Sequence, residues 1–371
     1  MTVKRHATLG AVVLVGLLVA GSIARPVASR SALPEKLSDA EWWTLSEQFS
    51  EPGGTFHSDN LVSNEGRFQL VIPDLVRRVK QGGLYLGVGP EQNFTYIANL
   101  HPRMAFIVDI RRGNLQEHLL YKALFEMSAD RADFLSRLFS RARPAGLSAT
   151  STPQQLFAAY DAVPPTPARY AANLAAVIAW LTKTPHHFAL DQADRDGIDF
   201  IYKTGFFADG PELGYQLTGQ GRNSIHPTYA ELMAAEDGAG RQRSYLATED
   251  NFRVVKALET ANLIVPAVGD FGGTKALRSV ARYAHDKGAV VSAFYLSNVE
   301  MYLRQDGKMD AFCANVAAMP LDASSTFIRS AAGRGLMNAP FNQRGFAQGG
   351  GRGMFWLALG EMQAETTACA H

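Results

Sequence analysis

Residues 85–110 read YLGVGPEQNFTYIANLHPRMAFIVDI, and this stretch decides the fold. LYLGVG at 84–89 is a short apolar run ending in a Gly-Val-Gly turn. EQNFTYIANLH at 91–101 has helical spacing, with Phe94, Ile97, Ala98 and Leu100 on one face, and MAFIVDI at 104–110 is apolar almost throughout. A strand without polar alternation is buried on both faces, as in a parallel sheet covered by helices. Two such strands joined by a helix make a βαβ unit. NLQEHLLYKALFEM at 114–127 continues as an amphipathic helix opened by Asn114.

The alternation returns in the second half. EDNFRVVKALETAN at 249–262 reads as a helix, LIVPAVGDF at 263–271 as a strand, TKALRSVARYAHDKG at 274–288 as a helix and AVVSAFYLS at 289–297 as a strand. MDAFCANVAAMPLDASSTFIRS at 309–330 supplies a late helix and strand. Between these blocks, residues 128–199 are alanine-rich and helical, broken at Pro144, Pro164, Pro165 and Pro167, and GIDFIYKTGFF at 197–207 is expected to return to the sheet as a strand. The expected class is therefore α/β: a Rossmann-like, mostly parallel sheet with a helical insertion at about 128–199 between its two halves. One domain spans 31–335, and the glycine-rich 336–371 is expected to be a flexible tail. Ahead of the first strand, Ser38 is placed to cap a helix carrying Trp42, Trp43 and Leu45.

Composition narrows the function classes. Of 371 residues, 36 are Lys or Arg and 35 are Asp or Glu, a net charge of +1, so no bulk charge draws the chain to nucleic acid. Lys4, Arg5 and His6 precede an uncharged apolar run from Ala7 to Ala24, followed by Arg25, Pro26 and small residues. This reads as a signal peptide or an N-terminal membrane anchor over residues 1–30. The basic residues before the run favour an exported or periplasm-facing domain, with a cytoplasm-facing anchor as the alternative. Cys313 and Cys369 match no metal-ligand spacing and read as a packed thiol and a tail thiol, a structural disulfide being the other option.

The chemistry concentrates at the strand ends. Gly87, Val88 and Gly89 form a tight strand-to-helix turn that lets the main chain approach a ligand, and the helix start beyond it offers free amides. Asp109 closes the next strand beside Ile110, and in a parallel sheet both positions lie at the carboxyl edge, where open α/β folds bind ligands. A carboxylate there can accept hydrogen bonds from a ribose diol. The loop continues Pro90, Glu91, Gln92, and an acid where a pyrophosphate would sit repels a dinucleotide. A phosphate-free ligand fits better, and S-adenosylmethionine is one. The plain alternative is a tight turn beside a solvated acid.

LYLGVGPEQ together with FIVDI resembles motifs I and II of the class I S-adenosylmethionine-dependent methyltransferases, and LIVPAVGDF lies where that family places its fourth strand. Two positions depart from the pattern: Tyr85 stands where the family has an acid that braces the loop, and Glu91 replaces the third glycine. The wider run from FSEPGGTFHSDN through FYLSNVEMYL to PLDASSTFIRS resembles a bacterial family of methyltransferase-like proteins without a settled activity. The resemblance implies a sheet of the methyltransferase type that binds S-adenosylmethionine, with methyl transfer to an unknown acceptor. The alternative is an exported, non-enzymatic binding protein for a small molecule on the same fold.

Substrate-side candidates come from other strand ends. Asp270 follows LIVPAV and is either a general base or a helix cap. Asn298 and Glu300 follow AVVSAFYLS, and Glu91, Asp109, Asp270, Asn298 and Glu300 are expected to share one rim. FHSDNLVSNE at 56–65, containing Asn60, is either a clamp over that rim or a solvated loop. His226 and Tyr229 are candidates for a second covering loop. No HExxH or carboxylate cluster indicates a metal, and no GxSxG elbow indicates a hydrolase.

Overall fold

The computed structural model describes residues 1–2, 33–218, 226–332 and 355–369. The chain divides into Met1–Arg30 and Ser31–His371, and all secondary structure described below belongs to the second unit. Most of the expected leader, 7–24 included, lies outside the described residues. Among the described residues no helix is long and apolar enough to cross a membrane.

The chain opens with α1 (Asp39–Phe49). Ser38 and Glu41 form a reciprocal capping box, which satisfies the first free amides of the helix. The buried Trp42 indole donates to the Ile264 carbonyl at 2.8 Å, tying the helix to the sheet. After α2 (Ile72–Arg78) come β1 (Leu84–Gly87), α3 (Gln92–Leu100), β2 (Met104–Asp109) and α4 (Arg112–Met127). Every residue of β1 and β2 is buried, the burial their unbroken apolar sequences require. Arg111, not Asn114, occupies the position before α4.

Five helices follow: α5 (Arg131–Leu138), α6 (Pro153–Asp161), α7 (Pro167–Thr182), α8 (Gln192–Ile201) and α9 (Tyr229–Ala234). The strand expected at 197–207 is instead the end of α8 running into a π-helical turn at Tyr202–Phe207. Its aromatic residues meet other helices: Phe206 packs edge-on against Tyr121, and Phe207 lies tilted against Tyr170. A short apolar run fits a buried helix as well as a strand, and here tertiary partners decide.

The second half holds α10 (Glu249–Thr260), β3 (Ile264–Val268), α11 (Ala276–Asp286), β4 (Val291–Ser297), α12 (Val299–Gln305), α13 (Met309–Ala317), β5 (Thr326–Ala332), β6 (Phe355–Glu361) and α14 (Met362–Cys369). The six-stranded sheet has the order β3-β2-β1-β4-β5-β6, parallel except for β6, which pairs antiparallel with β5. LIVPAV is thus the third strand and lies at an edge beside β2. The helical insertion falls between β2 and β3, inside the first half of the sheet and not between its halves. The expected tail is also corrected in part: residues 355–369 form β6 and α14, while 336–354 lie outside the described residues.

Core packing is aromatic on both faces. Phe106 of β2 stacks on Phe49 and meets Tyr283 of α11 edge-on. Neighbouring residues of β4 part to opposite sides, Phe294 towards Phe312 and Tyr295 towards Tyr96 of α3. Cys313, expected as a packed thiol with a structural disulfide as the other option, is disulfide-bonded.

Candidate functional site

The chain runs outward from β1 through β2 to β3 and then crosses back to β4 on the other side of β1. In such sheets the strand tips at the reversal leave a crevice. A cavity of about 180 Å³ lies there, inside a cleft of about 970 Å³ once its open mouth is included. Its wall takes Val88, Gly89 and Pro90 just after β1, Asp109, Ile110 and Arg111 at and after the end of β2, Gly269, Asp270 and Phe271 after β3, and Ser297 and Asn298 at and after the end of β4. Asn60, Ser63 and Asn64 from the preceding segment, Tyr302 from α12 and Asp306 just after it close it. The segment 56–65 is therefore no solvated loop: Ser58, Ser63 and Glu65 are buried and Asn60 faces the cavity.

Of the residues singled out in the sequence, Asn60, Val88, Gly89, Asp109, Ile110, Asp270 and Asn298 share this wall; Gly87, Glu91 and Glu300 do not. Gly87 serves the inside of the turn. A Cβ there would lie 1.9 Å from Asn93 Oδ1. The Asn93 amide donates to the carbonyls of Val88, Gly89 and Pro90 at 2.9, 3.1 and 2.8 Å, and its oxygen accepts from the Tyr85 hydroxyl at 2.9 Å. Tyr85 thus braces the loop through Asn93. Gly89 is the residue that needs positive φ, 78°, and it faces the cavity with Asn60 Nδ2 3.6 Å from where a Cβ would stand. Asn93 is fully buried, so Asn93-Phe94-Thr95 offers no glycan acceptor in the folded chain.

Asp109 faces the cavity but is already partnered. Its Oδ1 accepts from the Arg111 amide at 2.9 Å and from Nε at 3.0 Å, and Oδ2 accepts from Nη2 at 2.9 Å. The same guanidinium donates to the Asp59 carbonyl, pinning the covering segment to β2. A carboxylate oxygen has about two acceptor positions, so Oδ2 retains one for a ligand hydroxyl. Arg111 was not among the expected residues, although Asp-x-Arg at a strand end is a spacing that can close on itself.

Asp270 is likewise occupied: Oδ1 accepts from the Gly272 amide at 2.8 Å and Oδ2 from Lys308 Nζ at 2.6 Å. It is not the cap of α11, whose N-cap position is Lys275. Glu300 leaves the rim because its side chain pairs with Arg329 at 3.0 Å. His226 and Tyr229 also lie elsewhere. Tyr229 is buried with its hydroxyl on that of Tyr245, and His226 meets Tyr215 edge-on.

Below the wall, Glu65 accepts from Gln92 Nε2 at 2.7 Å, Tyr295 at 3.0 Å and Ser297 at 2.7 Å, and burial raises its carboxyl above the ordinary range. These bonds fasten the covering segment to α3 and β4. Aromatic groups crowd the mouth, where Phe56 meets Tyr302 edge-on at 5.3 Å. Phe56 and Tyr302 left no local signal in the sequence, since each reaches the cleft from a different connection. Among the described residues no group of three or more His, Cys, Asp or Glu could hold a metal.

Fold and cleft define an α/β protein with a ligand-sized hollow at the carboxyl edge of a mostly parallel sheet. The chain belongs to the family described as "Domain of unknown function (DUF7790)", which it matches over residues 60–150 and 192–349. The matched parts contain the turn, Asp109, Arg111 and Asp270, and pass over α6 and α7. No curated protein matches the chain.

Proposed function

We propose that the protein binds S-adenosylmethionine or a related phosphate-free nucleoside in this cleft, on a sheet of the methyltransferase type, and that it acts as a binding protein rather than a transferase. The carrying observation is that Gly89, Asp109 and the aromatic mouth meet in one hollow at the strand reversal. The turn approaches the ligand through main chain, Asp109 Oδ2 accepts a ribose hydroxyl, and Phe56 and Tyr302 offer apolar surface to a flat ring. Absence of transfer is supported by the pairing of Asp270, the carboxylate expected as a general base, with Lys308.

The disulfide at Cys313 supports export, because such bonds persist in oxidising compartments. Outside the cytoplasm a nucleoside other than S-adenosylmethionine becomes the stronger candidate, and attachment through residues 7–24 would hold the domain at a membrane. Methyl transfer is the second reading, favoured by Asp270 lying in the same wall as the turn. Titration calorimetry of the 31–371 unit with S-adenosylmethionine, S-adenosylhomocysteine and adenosine tests the proposal. Saturable binding of at least one is expected, and no saturation by any of them at millimolar concentration overturns it. Methyl transfer to an added acceptor would replace the binding reading with the second one.

A further inference from the structure

The charges around the cleft narrow what it can hold. Its wall carries three carboxylates, Asp109, Asp270 and Asp306, against one cation, Arg111, and among the described residues no lysine or histidine lines it. The guanidinium is already engaged: Nε and Nη2 donate to Asp109, and Nη1 to the Asp59 carbonyl. Lys308 stands outside the wall and holds Asp270 at 2.6 Å. Asp306 and Glu51 act on the same lysine from further off, so it is outnumbered. Of the three wall carboxylates, Asp306 is the one to which no described residue brings a hydrogen bond or an ion pair.

An anionic group entering this hollow meets surplus negative charge and no free cation. A cation meets the reverse, and the low-dielectric walls of a cleft focus that attraction.

The mouth adds aromatic faces. Phe56 from the covering segment and Tyr302 from α12 both line the cavity and stand at 80° to each other, their centroids 5.3 Å apart. His57 tilts against the two rings at 4.1 and 5.9 Å, and its Nε2 lies 3.5 Å from the Tyr215 hydroxyl. Rings at right angles form a corner, and the face of each ring is its electron-rich side, which attracts cations. Asp306 closes the same turn of α12, its amide donating to the Tyr302 carbonyl at 2.9 Å. Side chains four residues apart on a helix lie on one face, so the free carboxylate and the phenol ring reach the cavity side by side.

We propose that the ligand brings an organic cation, a sulfonium or alkylated ammonium group, which sits at the corner of Phe56 and Tyr302 with Asp306 as its counter-charge. This rests on the reading of the hollow as a ligand site and goes beyond it by fixing the charge of the ligand. It also refines the contact given to the two rings, leaving the base to the other apolar wall residues, Val88, Ile110 and Phe271. An alkylated cation suits the corner better than a bare ammonium, whose three N–H donors would find ring faces and a single carboxylate.

Titrating the full chain with choline and with 3,3-dimethylbutan-1-ol, in which carbon replaces the charged nitrogen, isolates the effect of charge. Choline should bind about tenfold more tightly at low salt, and the gap should narrow as salt is added. Asp306→Asn and Tyr302→Leu should each close most of that gap. Asp306 is exposed and Tyr302 half-buried, so neither change empties the core. Equal affinity for the two probes, no saturation by choline, or a gap that both variants leave unchanged overturns the proposal. S-adenosylmethionine and S-adenosylhomocysteine differ by one methyl group and the charge it leaves on sulfur, so titrating both identifies the source of the cation. A preference for the sulfonium by a similar factor, lost in the same variants, places the cation on a nucleoside. Selective choline binding with no nucleoside binding keeps the cation site and ends the nucleoside reading. Nucleoside binding together with equal affinity for choline and its neutral isostere does the opposite.

Discussion

The two sides of the Gly87–Glu91 turn hold carboxyl groups in opposite circumstances. In front, Asp109 and Asp270 face the cleft and each has a cation within 3 Å. Behind, Glu91 and Glu117 lie at 0% exposure with three of their four oxygens unpartnered. The same functional group is clamped by a cation on one side and left short of partners on the other. What differs is the neighbour: Arg111 and Lys308 reach the front, whereas the space behind the turn is filled by aromatic and aliphatic side chains.

Removing a front partner should have the largest effect. Asp109→Ala leaves the buried Arg111 guanidinium without its counter-charge, and a loss of about 3–5 kcal/mol is expected in urea unfolding, as for other buried pairs broken on one side. A loss under 1 kcal/mol would mean that water reaches the pair and that the front is less enclosed than described. Gly87→Ala comes next. Its Cβ would displace the Asn93 amide that gathers three loop carbonyls, and about 1–3 kcal/mol should be lost. Thermal unfolding unchanged from wild type would show that the turn yields without cost. Lys308→Met should matter least, below about 1 kcal/mol, because the lysine is only half-buried and its pair with Asp270 is partly open to solvent. A larger loss would place Asp270 with the buried front pair and sharpen the contrast between the two sides.

Parts of this arrangement were legible without coordinates. The unbroken apolar strands, the glycine turn and the acid closing the second strand placed Gly89 and Asp109 together at the carboxyl edge. Ser38 signalled its helix by capping chemistry, and the structure has the full capping box. Other features escaped. Residues 197–207 have no polar alternation to separate a strand from a buried helix, and the helix was decided by Tyr121 and Tyr170 packing onto Phe206 and Phe207. Glu91 looked like a rim residue because it follows the glycines, yet its side chain turns back beneath the loop towards the Ser63 amide.

The sequence by itself determined the alternation of strands and helices, the burial of the central strands and the position of the glycine turn, because each follows from local periodicity and backbone freedom. Tertiary structure alone decided the strand order, the bonding of Cys313, the capture of Asp109 by Arg111 and the burial of Glu91. Those depend on which distant side chains arrive beside a group and how much water they displace, and no spacing along the chain encodes that.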